Sequence, residues 1–261
     1  MNKTFLSAAI AATLILPSAA AMAEDAPSPL TFNVGVVSDY LFRGISQTHG
    51  DAAVQGGADY AFSNGAYVGA WGSSISWVKD WLGDGSVELD LYGGYKGAFA
   101  NADWTYDVGA IAYMYPSHGS ANAGLANPNT TEVYGAIGYK WLSAKYSYSL
   151  SDNFVGWYPA SGSGKTNGST YLELNASFDL GDGLTATAHA GHQKVAKNGP
   201  ASYSDWKIGV TKDVGFGVAG LAYSSTNADG NVAYSWPTGF NSTTFKDVSK
   251  GKIVATFLKA F

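Results

Sequence analysis

The 261-residue chain contains no cysteine, which excludes a disulfide framework and any thiolate-bound metal. It is also poor in charge. Asp, Glu, Lys and Arg make up 13% of the residues, where a soluble domain carries roughly 25%. The net charge of −5 is mild and gives no sign of a nucleic-acid partner. Past its first residues the chain has no apolar run near the ~20 residues that a membrane-spanning helix needs. Mean hydropathy nevertheless sits close to zero. These shortages argue against an ordinary soluble enzyme and against a helical membrane protein. They fit a β-barrel in lipid, whose apolar outer face and polar inner face average out.

What is present begins with a targeting signal. Lys3 supplies a positive start, "FLSAAIAATLIL" a short apolar stretch, and "SAAAMA" a small-x-small cleavage pattern. Residues 1–23 read as a signal peptide cut after Ala23, leaving 24–261, from "EDAPSPL" onward, as the barrel. No cysteine follows the apolar stretch, so the chain is not a lipoprotein.

Alternation then replaces helical period. In "SVELDLYGGYKGAF", Val87, Leu89, Leu91, Tyr95 and Phe99 share one face, with Glu88, Asp90, Tyr92 and Lys96 on the other. "STYLELNASFDL" sets Leu172, Leu174, Phe178 and Leu180 against Tyr171, Glu173, Asn175 and Asp179. Period two with one apolar face means a strand. The connections alternate in length. Short ones fall at Ser63 to Gly65, Ala100 to Asp103, Lys140, Gly181 to Gly183 and Asp213 to Gly215. Long ones fall near "ISQTHGD", "WVKDWLGDG", "PSHGSANAGLANPNT", "NFVGWYPASGSGKTNG", "VAKNGPAS" and "NADGNVAYSWPTGFNSTTFKDV". Short periplasmic turns against long extracellular loops predict an all-β, antiparallel up-and-down transmembrane barrel of about 12 strands, with 10 or 14 as neighbouring counts. Aromatics cluster at the short turns: Phe62, Tyr67, Phe99, Trp104, Tyr139, Trp141, Phe178 and Phe216. They form one interfacial girdle. The closing Phe261 resembles the assembly signal of bacterial outer-membrane proteins, which makes the barrel-assembly machinery and outer-membrane lipid expected partners.

The segment "SDYLFRGISQT" stands out for placing Arg43 beside Tyr40, Leu41 and Phe42. If the first strand is "TFNVGVVSDYLF", Phe32, Val34, Val36, Tyr40 and Phe42 face lipid, and Thr31, Asn33, Asp39 and Arg43 face the lumen. Pairing with "AVQGGADY" then sets Asp39 near Asp59 and Arg43 near Gln55, a charge-assisted network that either staples the wall or filters ions. "NVGVVSDYLFRGISQT" followed by "VQGGADY" resembles the signature of a proteobacterial family of TorF-like porins. That resemblance covers the first hairpin and implies an outer-membrane barrel with porin activity; it brings no defined solute.

Several strings carry no chemistry. "SGSGKT" lacks the leading glycine of a phosphate loop, with Pro159 in its place, and no helix follows it. "GFGVAG" matches a dinucleotide motif by letters alone. His189 and His192 fall on opposite faces of a strand and cannot share a metal. No cofactor and no metal site is expected. A Ser–His hydrolase barrel would need a serine and a histidine on neighbouring strands, facing the same way near the outer girdle. A plugged structural or adhesion barrel is the third reading. Small inward residues (Ala53, Gly57, Ser147, Ser149, Gly209) speak for internal space.

The favoured expectation is therefore a porin for passive diffusion of small hydrophilic solutes in the outer membrane. Its expected lining residues are Asp39, Arg43, Gln55, Asp59, Glu88, Asp90, Lys96, Lys145, Glu173, His189 and Lys207. The inward acids, which also include Asp103, Asp107 and Glu132, outnumber the inward bases, which also include Lys140 and Lys252. That balance predicts a weak cation preference.

Overall fold

The computed structural model describes residues 28–99, 102–120 and 125–261; the signal peptide, its cleavage site and Ala100 lie outside them. Alternating residues build long strands joined in sequence. In chain order they are β1 (Leu30–Val37), β2 (Leu41–Phe42), β3 (Ile45–Ser46), β4 (Ala53–Ala61), β5 (Ala66–Ser74), α1 (Trp77–Leu82), β6 (Val87–Phe99), β7 (Trp104–Met114), β8 (Thr130–Tyr139) and β9 (Leu142–Ser149). Then follow β10 (Thr170–Gly181), β11 (Leu184–Lys194), β12 (Tyr203–Asp213), β13 (Val218–Thr226), β14 (Ser235–Pro237), β15 (Phe245–Asp247) and β16 (Lys252–Ala260). Twelve of the strands form one closed antiparallel barrel, as expected. β16 pairs with β1 to shut it, while β2–β3 and β14–β15 are separate small hairpins. Phe261 extends the seam, exchanging backbone hydrogen bonds with Phe32 at 2.9 and 3.2 Å. Closure leaves no sheet edge to face hydrocarbon.

The wall sorts its side chains by parity. Leu91, Leu172, Leu174, Ile208 and Leu221 are exposed on the outside, while Glu88 and Asp90 are buried within. The girdle at the short-turn end forms groups of ring contacts. Trp104 and Tyr139 rings lie 4.7 Å apart, Trp141 and Phe178 4.6 Å, and Phe216 and Phe257 5.7 Å. Tyr67 does not belong to it: it turns inward, is 3% exposed and donates its hydroxyl to Asp107.

The first strand departs from expectation. It ends at Val37, and β4 pairs with it so that Thr31 faces Asp59 and Gly35 faces Gln55. The chain then folds into the barrel as the β2–β3 hairpin. Arg43 and Gly44 form its tip with φ of 49° and 81°, the two left-handed positions of a tight hairpin turn. Gly44 is required twice over, since a Cβ there would meet the Thr226 side chain at 2.5 Å. Tyr40 and Phe42 are therefore not girdle residues but internal ones.

A single lipid-facing charge tests the orientation of the wall. Leu174→Arg, midway along β10, is expected to destabilise the barrel by about 2–4 kcal/mol in bilayer vesicles, with Glu173→Gln costing less. Denaturant titration of folding into vesicles measures both.

Candidate functional site

The inward hairpin divides the lumen into two halves of different chemistry. Toward the long loops, Tyr40 packs edge-on against Trp71 at 5.6 Å and Phe42 against Tyr113 at 5.4 Å. The loops add a lid: Trp77 of α1 sits 5.6 Å from Trp236, and Tyr234 lies 5.1 Å from Tyr203. These rings and Ile45, Val78, Leu82 and Val248 form one buried core. Ala53, Ser147 and Ser149 are small but almost wholly covered. At this level small wall residues make room for the hairpin instead of for water.

Arg43 anchors that hairpin. Its guanidinium donates to Glu132 Oε2 at 2.6 Å and Oε1 at 3.2 Å, and to Gln193 Oε1 at 2.6 Å. It also lies 4.2 Å from the Tyr171 ring centre and 4.8 Å from that of Phe42. Burial opposes its charge, but Glu132 more than offsets this and raises its pKa. The planar fork suits such a site because it bonds a carboxylate in two places while stacking on an aromatic face. At the hairpin base, Asp39 accepts from Lys252 Nζ at 2.7 Å, Ser46 Oγ at 2.6 Å and Thr48 Oγ1 at 3.0 Å. The expected pairings of Asp39 with Asp59 and Arg43 with Gln55 are thus replaced. Gln55 instead donates to Ser73 Oγ at 3.3 Å.

Glu88 and Asp90 are enclosed beside the hairpin. Glu88 Oε1 accepts from Tyr40 OH at 3.2 Å, and the neighbouring Asp90 carboxyl interacts with that of Glu88 but has no well-formed hydrogen bond to either oxygen among the described residues. Among the described residues no three His, Asp or Glu side chains gather with metal-binding geometry.

Toward the short turns the lumen is polar and only half-buried. Tyr92 OH donates to Asp59 at 2.7 Å, and Tyr67 OH to Asp107 at 2.7 Å, with the Tyr134 hydroxyl in contact. Lys96 sits 5.0 Å over the Tyr67 ring and Lys145 4.4 Å over Tyr134. Lys145 also lies 4.0 Å from Glu173. At mid-height His189 Nε2 is 2.9 Å from Asp205 Oδ2 and from Tyr171 OH, and Nδ1 is 2.7 Å from Asn175 Oδ1. Lys207 lines a cavity with Asp39. Asp103 and Lys140 do not reach the lumen. They are half-exposed in adjacent short turns, 3.8 Å apart, because strand parity lapses where the chain reverses.

Tyr171, Gln193, Asp205 and Tyr40 were not among the expected lining residues. Strand parity carries the first three inward; Tyr40 has no such signal, since its position follows from the turn after Val37.

Two histidine–serine contacts bear on hydrolysis. His192 Nδ1 and Ser204 Oγ are 2.9 Å apart on the outside of β11 and β12, the arrangement that a hydrolase barrel would need. Among the described residues no carboxylate or amide orients the other ring nitrogen of His192, so the third member is missing. In the loops His49 Nδ1 faces both Ser76 Oγ at 2.9 Å and Asp80 Oδ2 at 3.1 Å, leaving Nε2 buried without a partner among the described residues. Burial lowers the His49 pKa and raises that of Asp80. A relay needs the serine nucleophile and the orienting acid on opposite ring nitrogens of the histidine, and this contact puts both on one.

Residues 21–261 match the profile of a family described as "Bacterial protein of unknown function (Gcw_chp)". No curated protein matches the sequence. Among solved structures, the NanC porin superposes with a TM-score of 0.54 at 9% identity, over 88% of this chain and 98% of that one. The KdgM porin in complex with disordered oligogalacturonate gives 0.51 at 8% identity, over 89% and 98%. At identities this low the superpositions show a shared barrel fold alone.

The Arg43–Glu132 pair yields a sharp test. Arg43→Met alone should cost about 3–5 kcal/mol, because Glu132 is left buried and unpaired; adding Glu132→Met should recover part of that loss. Chemical unfolding of the single and double variants decides it.

Proposed function

The chain belongs to the Gcw_chp family of bacterial proteins of unknown function, and we propose that its barrel is an outer-membrane channel for passive diffusion of small hydrophilic solutes or ions. One observation carries this reading: a closed barrel with an apolar outside holds a charged, half-exposed lumen toward its short-turn end. Inside a lipid-embedded wall, charges left partly exposed require water, and water in a barrel is the medium of permeation. Transport is hydrated diffusion with no turnover. The β2–β3 hairpin narrows the loop half and restricts passage to small species.

The finer elements of the proposal follow from the same reading. The membrane is the bacterial outer membrane, reached after signal-peptide cleavage near Ala23, with Phe261 engaging the assembly machinery. "NVGVVSDYLFRGISQT" supports a TorF-like porin grouping. Counted over the whole lumen, the acids exceed the bases, which is the ground for a weak cation preference.

A second reading has its own support. The aromatic core of the loop half fits a plugged barrel with a structural or adhesive role. Conductance separates the two. Protein purified from outer membranes and placed in a planar bilayer should give discrete ohmic steps, and Arg43→Ala should enlarge them by freeing the hairpin. Silence from a correctly folded barrel would favour the plug.

A further inference from the structure

Three inward tyrosines of the short-turn half stand in register with glycines. Tyr92 of β6 lies opposite Gly69 of β5, Tyr67 of β5 opposite Gly94 of β6, and Tyr134 of β8 opposite Gly109 of β7. Gly94 and Gly109 are themselves partners across β6 and β7, so Tyr67 and Tyr134 approach one glycine pair from its two sides. None of the three glycines has a left-handed φ. What each supplies is the absence of a side chain. A Cβ at Gly69 would overlap the Tyr92 ring, one at Gly94 would lie 2.6 Å from the Tyr67 hydroxyl, and one at Gly109 2.7 Å from that of Tyr134. Each ring therefore lies along the wall over the neighbouring strand, as an aromatic that covers a strand glycine does.

The hydroxyls are tied down as well. Tyr92 donates to Asp59 and Tyr67 to Asp107, both at 2.7 Å, and the Tyr67 and Tyr134 hydroxyls bond each other. Beside the hairpin the arrangement is different. Tyr113 faces Asp90 and Thr130 across its neighbouring strands, and its ring meets Phe42 of the hairpin. Side chains fill the interior of a barrel of about eight strands and leave an aqueous channel in one of about sixteen. With twelve strands, the direction in which large inward side chains point decides how much bore is left.

Resting on the channel reading above, we infer that Gly69, Gly94 and Gly109 set the aperture of the short-turn half. By letting three tyrosines lie flat, they keep this stretch of the lumen open and leave the level of the hairpin as the narrowest point. A ring forced off the wall here would create a second constriction in series with the first, and hydrated permeation would slow.

The test is single-channel conductance in planar bilayers, with barrel folding checked by circular dichroism. The nearest atoms to a Cβ at position 69 all belong to the Tyr92 side chain. Gly69→Ala should therefore lower the conductance about twofold or more, and combining it with Tyr92→Ala should restore it. Ala136→Tyr sets a new ring opposite Asp107 and Lys145, with no glycine to receive it, and should also lower conductance; it decides the matter if Gly69→Ala does not fold. Folded variants that conduct like wild type overturn this inference and leave the channel intact, and so does a loss in Gly69→Ala that Tyr92→Ala fails to reverse. A folded wild-type barrel without ohmic steps overturns the channel reading, and the aperture falls with it.

Discussion

A backbone amide in hydrocarbon has no water to bond, so a sheet that crosses a membrane must pair every strand with two neighbours. Here that constraint is met where β16 returns to β1, with Phe261 and Phe32 completing the seam. Closure fixes two faces, and each strand then divides its residues between them. Leucines, valines and the girdle rings, Tyr139 among them, turn outward, while most charged residues and tyrosines such as Tyr67 and Tyr171 turn in. The poverty of charge noted in the composition is a result of this division, because half of each strand must be acceptable to lipid.

A closed wall creates a second problem, which is what to do with its interior. Near the short turns, water and paired polar side chains occupy it. Near the long loops, the chain fills it with its own hairpin and aromatic lid. Arg43 links the two solutions: its aliphatic stem and ring contacts suit an apolar core, and its fork satisfies Glu132 and Gln193. An unpaired Glu132 at that depth would be costly, so acid and arginine stabilise each other's burial. Beside the hairpin, a cavity of about 80 Å³ is lined from β11, β12, β13, β16, β1 and β4.

The reading by parity succeeds within strands and fails beyond their ends. Glu88, Asp90 and Glu173 face inward because side chains alternate about a straight backbone. Asp103 and Lys140 were carried along the same count into turns, where the backbone reverses and the count no longer applies. Tyr40 and Phe42 keep step with Val36 in the letters, yet Ser38 and Asp39 have already turned the chain inward. An aromatic facing lipid and one facing Trp71 or Tyr113 have the same local pattern. Tyr67 was assigned to the girdle by its nearness to a turn, although its inward parity agrees with its bond to Asp107.

The amino-acid sequence alone determined the class of the protein, a closed antiparallel wall of about twelve strands and the alternation of short turns with long loops. These depend on period-two patterning and turn chemistry, which are local. Closure in the structure set the count at twelve against the neighbouring 10 and 14. Only the tertiary structure decided that the first long connection enters the barrel, that Arg43 meets Glu132 eighty-nine residues away, and which charges border the remaining space. Those outcomes depend on contacts among distant strands brought together by closure. No local pattern encodes which of two inward-facing charges will be covered and which will meet water.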